Sequence, residues 1–391
     1  MNFKENLLIF SNSFYGGILN SLFFVYPYIY NFNSYIYFYL VSFSYLGSII
    51  SSIIFGKIRV DKNNYINIAL IGIIFPFISS ILLILYQNEI LFLLSYLIFS
   101  ITYPATYFSF ILYYKDVKMN FYFNIYLTVG YIIPQITLTF LSIIYNLYIL
   151  ALLFFISILI FISRHLYLLI VSESYEIGLL NNIDNILNNI EKHIDAFSTY
   201  NTLYEGVIAP FDIKKLKIGS IELYNLFIVM GYSIIWSSTV FYTNNLDLGN
   251  LYPYFIFING LSSSIFYYKL KKYISFRNIF IGIFTRILMA LPLILVVYLS
   301  FPYIVNVSIF SALYILAAFS WVMFQFYFDN YILVNHPTKF GNVLFFRNLG
   351  GLIGSLLLTF ASRFHLLIFS IVILSISLFL MDYFLRIKNK L

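Results

Sequence analysis

Long apolar runs follow one another through almost the whole chain, broken by short polar stretches and by one longer polar interval, Val171 to Ile218. An α-helix rises roughly 1.5 Å per residue, so about 20 apolar residues cross the hydrocarbon core of a bilayer. That ruler predicts spans over 7–29, 35–56, 65–86, 90–113, 121–145 and 147–170 before the interval. After it come 219–242, 251–268, 279–299, 303–328, 343–365 and 366–386. The first run is longer than a signal-peptide core and has no clear small-residue cleavage site, which predicts a retained span. The chain then divides into an N-terminal six-helix bundle, 1–170, a central loop, 171–218, and a C-terminal six-helix bundle, 219–391.

Lys and Arg in the short connections set the predicted orientation. Loops after spans 2, 4, 8 and 10 carry Lys57, Arg59 and Lys62, then Lys115 and Lys118, then Lys269, Lys271, Lys272 and Arg277, then Lys339. The termini add Lys4, Arg386, Lys388 and Lys390, whereas Tyr30 to Ser34, Gln87 to Glu89 and Thr243 to Asn250 hold no Lys or Arg. Only Arg363 dissents. A multi-pass protein of the cell membrane with both termini in the cytoplasm is expected, as an even span count requires.

Composition narrows the chemistry. With 62% hydrophobic and 9% charged residues, a soluble fold is excluded. The absence of cysteine removes disulfides and thiolate ligands, and His165, His193, His336 and His365 are far apart, so neither a metal site nor a cofactor is expected. The net charge of +7 lies mostly in loops beside apolar spans, which points to the lipid bilayer as partner and not to nucleic acid. Aromatic residues, 22% of the chain, accompany abundant Ile and Asn, a mixture that an AT-rich coding sequence produces without selection for ligand stacking. No ATP-binding motif is present.

Within the central loop Ile177, Leu180, Ile183, Leu187, Ile190, Ile194 and Phe197 recur every three or four residues, which predicts an amphipathic helix. It reads as a linker helix resting on its own bundle or as a docking site for a partner. An internal repeat is also visible. At an offset of 220, Phe99-Ser100 falls on Phe319-Ser320, Gly130 on Gly350, Pro134 on Gly354, and Leu138-Thr139-Phe140 on Leu358-Thr359-Phe360. At an offset of 212, Lys57-Ile58-Arg59 falls on Lys269-Leu270-Lys271. The predicted fold class is an all-α polytopic membrane protein of about 12 transmembrane helices, arranged as two six-helix pseudo-repeats.

Here the chain resembles the major facilitator superfamily, as a divergent member. That family's signature between spans 2 and 3 is approximated by Gly56-Lys57-Ile58-Arg59-Val60-Asp61-Lys62-Asn63-Asn64, where the Gly-to-Asp spacing is one residue longer and Asn64 replaces a Gly. Gly130-Tyr131-Ile132-Ile133-Pro134 resembles a thinned form of a Gly- and Pro-rich motif of span 5, and the Arg common in span 4 is missing from Leu91 to Tyr113. The resemblance implies a cavity lined mainly by spans 1, 4, 7 and 10.

Polar groups near the midplane are Asn20, Thr102, Thr106, Gln135, Trp236, Asn259, Trp321, Gln325 and Asn348. Asn20, Gln135, Trp236 and Gln325 are the preferred cavity residues, because an amide or indole N–H in hydrocarbon needs a partner. Interhelical hydrogen bonding is the competing reading for each. Asp61, Lys62, Asp329 and Arg347 are gate candidates, while Arg286 in span 9 reads as structural or snorkelling, and Glu222 as solvated. Gly350, Gly351, Gly354 and Ser355 form a small-residue face suited to close packing.

The leading expectation is a secondary transporter moving a small-molecule substrate by alternating access, without covalent chemistry. Spans 1, 2, 4, 5, 7 and 8 carry no carboxylate or His near their midpoints, so a coupling ion is left open and a neutral or amphipathic cargo is favoured. A transport-inactive receptor or scaffold is the alternative, and a membrane-embedded lipid-processing enzyme a weaker one. The orientation is testable because the chain has no cysteine. In intact cells an impermeant thiol reagent is expected to label Asn33→Cys and to leave Lys271→Cys unlabelled; the reverse pattern inverts the topology.

Overall fold

The structure is a computed structural model, and it describes residues 3–55, 65–85, 88–105, 133–135, 138, 151, 152, 155, 159, 219–270, 277–335, 340–360 and 363–388. Among the described residues there are ten α-helices: α1 (Phe3–Ile29), α2 (Ile36–Phe55), α3 (Tyr65–Leu85), α4 (Glu89–Thr102), α5 (Ser220–Asn245), α6 (Tyr252–Leu270), α7 (Arg277–Tyr298), α8 (Tyr303–Asn335), α9 (Phe340–Phe360) and α10 (Arg363–Lys388). Four stretches, Ser220–Asn245, Asn278–Val296, Tyr303–Phe324 and Asn342–Phe360, are each long and apolar enough to cross a bilayer. Spans 5 and 6, the later part of span 4, the signature loop and the amphipathic segment 177–197 lie largely or wholly outside the described residues.

Helix is the only open structure that satisfies every backbone group inside hydrocarbon. The hydroxyls follow the same rule by bonding carbonyls of their own helix: Ser95 to Leu91 at 2.8 Å, Thr239 to Ile235 at 2.8 Å and Thr285 to Ile281 at 2.8 Å. Helix ends agree with the apolar ruler to within a few residues, with two exceptions. Helix α8 runs to Asn335, and α9 stops at Phe360 with α10 starting at Arg363, so Arg363 marks a helix start and not a point within a span.

Inner and outer faces separate cleanly on α7. Ile283, Arg286, Ala290 and Leu293 are buried, while Phe284, Leu288, Leu291 and Leu295 are exposed on the face that meets lipid.

Helices α1 and α5 end alike. Asn31 and Asp247 adopt left-handed backbone, φ 52° and 58°, which the short polar side chains of Asn and Asp tolerate. The next N–H then reaches back five residues, Phe32 to the Pro27 carbonyl at 2.9 Å and Leu248 to the Thr243 carbonyl at 3.0 Å. The same cap therefore turns the chain at the same point of both halves.

The tightest packing is between α9 and its neighbours. A Cβ on Gly350 would lie 2.2 Å from the Leu226 carbonyl oxygen, and one on Gly354 2.4 Å from that of Met230, so α9 meets the backbone of α5 directly. Gly351 faces the Tyr45 ring of α2, and Ser42 on α2 donates to Ser355 on α9 at 2.8 Å. The second half is thereby held to the first along α2 and α9.

Glu222 departs from expectation. It is 2% exposed, because from the third position of α5 it folds back over Gly219, the helix N-cap, where the partial positive charge of the helix start favours a carboxylate. Backbone contacts at α9 leave no room to relax, whereas a Cβ on Gly16 meets only the Tyr103 ring. Gly350→Ala and Gly354→Ala are each expected to lower stability by about 1–3 kcal/mol, and more than Gly16→Ala does, by thermal unfolding in detergent.

Candidate functional site

Between α1, α2 and α4 on one side and α5 to α8 on the other lies a chamber with two lobes that share Tyr45, Trp236 and Asn259 as walls. The larger, about 280 Å³, is bounded on the first half by Asn20, Phe24 and Tyr96 and on the second by Tyr252. The smaller, about 190 Å³, reaches into the second half and is lined by Ser263, Arg286 and Trp321. A space of this size, apolar and aromatic with a few polar groups, suits a small solute.

The helices aim these groups by register. Asn20 accepts a 3.4 Å hydrogen bond from the Tyr96 hydroxyl, linking α1 to α4 at the wall of the larger lobe. Asn259 donates from Nδ2 to the Tyr314 carbonyl at 2.8 Å, leaving its amide at the junction of both lobes. The Trp236 ring is fixed edge-on to Tyr314, with centroids 5.3 Å apart at 73°.

Two stacked aromatic pairs join helices from before the central interval to helices after it, and the first of them, Phe24 with Tyr252, borders the larger lobe. Phe24 stacks on Tyr252 at 4.8 Å and 16°, and Phe38 on Phe241 at 4.9 Å and 12°. Beside them Gly249 admits the Tyr28 ring, since a Cβ there would stand 2.5 Å from it. All of these contacts lie near the α1–α2 and α5–α6 turns.

Arg286 is the unusual group. It is 4% exposed, nine residues into α7, with roughly 14 Å of helix rise between it and the helix start, too far for its side chain to reach the interface. Its guanidinium donates to the Tyr232 carbonyl at 3.3 Å and to Met289 Sδ at 3.5 Å, and lies 4.7 Å over the Tyr232 ring. Its Nε has no hydrogen-bond partner, and among the described residues no carboxylate pairs with it. A buried arginine at a helix centre costs about 2.5–3.5 kcal/mol on insertion scales, so its place on a cavity wall calls for a reason.

Of the residues singled out from sequence, Asn20 and Trp236 come together on the chamber wall with Asn259, and Trp321 lines the smaller lobe. Gln135 is fully buried elsewhere: it is hydrogen-bonded to the Ser21 hydroxyl and donates to the Gly17 carbonyl at 3.0 Å, a junction with α1 away from both lobes. Thr102 returns its hydroxyl to Ile98 at 2.7 Å. Arg347 is buried on α9 with its guanidinium 5.8 Å from the Phe324 ring centroid. The side chains of Gln325 and Asp329, and all of Asp61, Lys62 and Thr106, lie outside the described residues. Sequence reasoning passed over Tyr45 and Tyr96, which tyrosine abundance hid, and read Arg286 as structural. The signal for Arg286 was its place in the series Ile279, Ile283, Arg286, Ala290, Leu293, the stripe that faces inward.

No protein-family model matches the chain, and no curated protein is similar to it in sequence. Solved structures match it over nearly full length. A mutant of the nucleoside transporter NupG is similar with TM-score 0.61 at 14% identity, covering 98% of this chain and 99% of that one. A mutant of the peptide transporter POT in complex with alafosfalin gives 0.66 at 12%, covering 99% and 94%. The POT family transporter PepTSo gives 0.60 at 10%, covering 99% and 98%. The described helices and these full-length matches give the chain the fold of these solved transporters, carried by a sequence far diverged from theirs.

Proposed function

We propose that this chain is a secondary transporter that moves a small solute across the cell membrane by alternating access, with two six-helix halves rocking about the chamber between them. The observation that carries this reading is the chamber itself: helices from both sides of the central interval contribute its walls, and the Phe24–Tyr252 stack that borders it joins one side to the other. Stacked rings are suited to a gate, since each pair contributes about 0.5–1.5 kcal/mol beyond area burial and separates without stranding a hydrogen bond. The shared fold with transporters of nucleosides and peptides supports the same reading.

The lysine and arginine bias supports an exterior position for these stacked rings. The matching caps after Ile29 and Asn245 support duplication of the halves 1–170 and 219–391, with 171–218 as the cytoplasmic connection. Asn20, Trp236 and Asn259 contact the solute, and Gln135 braces α1.

In proteoliposomes screened with pooled labelled metabolites, uptake is expected to saturate. Trp236→Ala is expected to reduce it at least tenfold with the protein still folded, and wild-type flux in that variant removes the chamber as the solute site. Gln135→Ala is expected to lower the unfolding temperature, because Ser21 and the Gly17 carbonyl lose their partner. A single Asn20→Cys is expected to react slowly with an impermeant thiol reagent from outside, and several-fold faster once Phe24→Ala and Tyr252→Ala remove the stacked pair that borders the larger lobe; an unchanged rate shows that these rings are not the outer gate.

A further inference from the structure

We propose that the smaller lobe is an anion subsite in which Arg286 receives the carboxylate of a small organic monoanion, the aromatic walls holding its apolar body. The inference rests on the transporter reading of the same chamber and deepens it by naming the substrate class.

The argument begins with the arginine's unspent bonding capacity. A guanidinium offers five N–H donors in a planar fork. Here it has two acceptors, a carbonyl at 3.3 Å and a thioether at 3.5 Å, while Nε has none. Neither acceptor carries charge, and no carboxylate among the described residues pairs with it. A ligand carboxylate at the fork would supply both the missing counter-charge and two short parallel hydrogen bonds, an arrangement strengthened by the low dielectric around it.

The surroundings then select the ligand. Among the described residues Arg286 is the one charged group on the wall of either lobe, which favours a single negative charge over a dianion. Trp236, Trp321 and Tyr45 offer flat apolar faces, and the Asn259 amide and Ser263 hydroxyl offer polar contacts a few ångströms of cavity away. A carboxylate on an aromatic or aliphatic body fits that division. The neutral cargo favoured by the weakly charged spans gives way to a singly charged one, because one buried cation on the wall outweighs the average polarity of the sequence.

A purely structural role for Arg286 predicts different behaviour. If its contacts with Tyr232 tie α7 to α5, replacing it with an apolar residue of similar length loosens the fold. If it waits for a ligand, the same replacement removes an uncompensated buried charge and leaves ligand-free stability equal or higher.

The chain's only two tryptophans, Trp236 and Trp321, both line this lobe, so intrinsic fluorescence reports on it directly. The purified full-length protein is titrated with benzoate, phenylacetate and butyrate, and in parallel with their neutral amides. Saturable fluorescence changes and raised unfolding temperatures are expected with at least one carboxylate and not with its amide. Arg286→Met is expected to unfold at or above the wild-type temperature and to bind that carboxylate about 10- to 100-fold more weakly, with Arg286→Lys between the two. Equal responses to acid and amide, no response to any carboxylate, or wild-type affinity in Arg286→Met each overturn the anion subsite. The acid-against-amide comparison decides the matter even if Arg286→Met does not fold. Arg286-dependent binding with no flux of the bound acid into liposomes upholds the subsite and overturns transport. Saturable flux of a neutral solute untouched by Arg286→Lys does the opposite.

Discussion

The fold depends on the close approach of α9 to two neighbours at once, made possible by residues with almost no side chain. Gly350 and Gly354 bring α9 against the backbone of α5, and Gly351 and Ser355 turn its other side to Tyr45 and Ser42 of α2. In hydrocarbon the hydrophobic effect does not drive helices together, so association comes from van der Waals contact and hydrogen bonds, both of which strengthen steeply with proximity. Helix α9 is thus the element through which one half is registered against the other, and the chamber is the space left beside that contact.

Polar groups in the interior fall into two kinds. Most serve the helices: Ser95, Thr239 and Thr285 return their hydroxyls to their own backbones, and Gln135 spans to α1. These have partners and little reactivity left to offer a solute. The second kind gathers on the chamber wall, where Asn20, Asn259 and Arg286 line the two lobes. The aromatic residues divide similarly. Tyr314 packs against Trp236 and Phe255 in the core, whereas Phe24, Phe38, Phe241 and Tyr252 cross between the halves at one end.

The sequence by itself determined the helices, because hydrocarbon leaves an apolar run of about 20 residues one way to satisfy its backbone. It also marked the small-residue face of α9, since Gly350, Gly351, Gly354 and Ser355 stand within six positions of one another. Asn20 and Trp236 stood out in the sequence because a polar group in a span needs a partner, and both line the chamber. Only the tertiary structure decided which way each helix faces. On α7 Ile283, which is buried, and Phe284, which is exposed, are equally apolar, and only Thr285 and Arg286 mark which face turns inward. That same rotation put Gln135 in a helix junction and Arg286 on the chamber wall, because the partner a side chain finds is set by its neighbours in space.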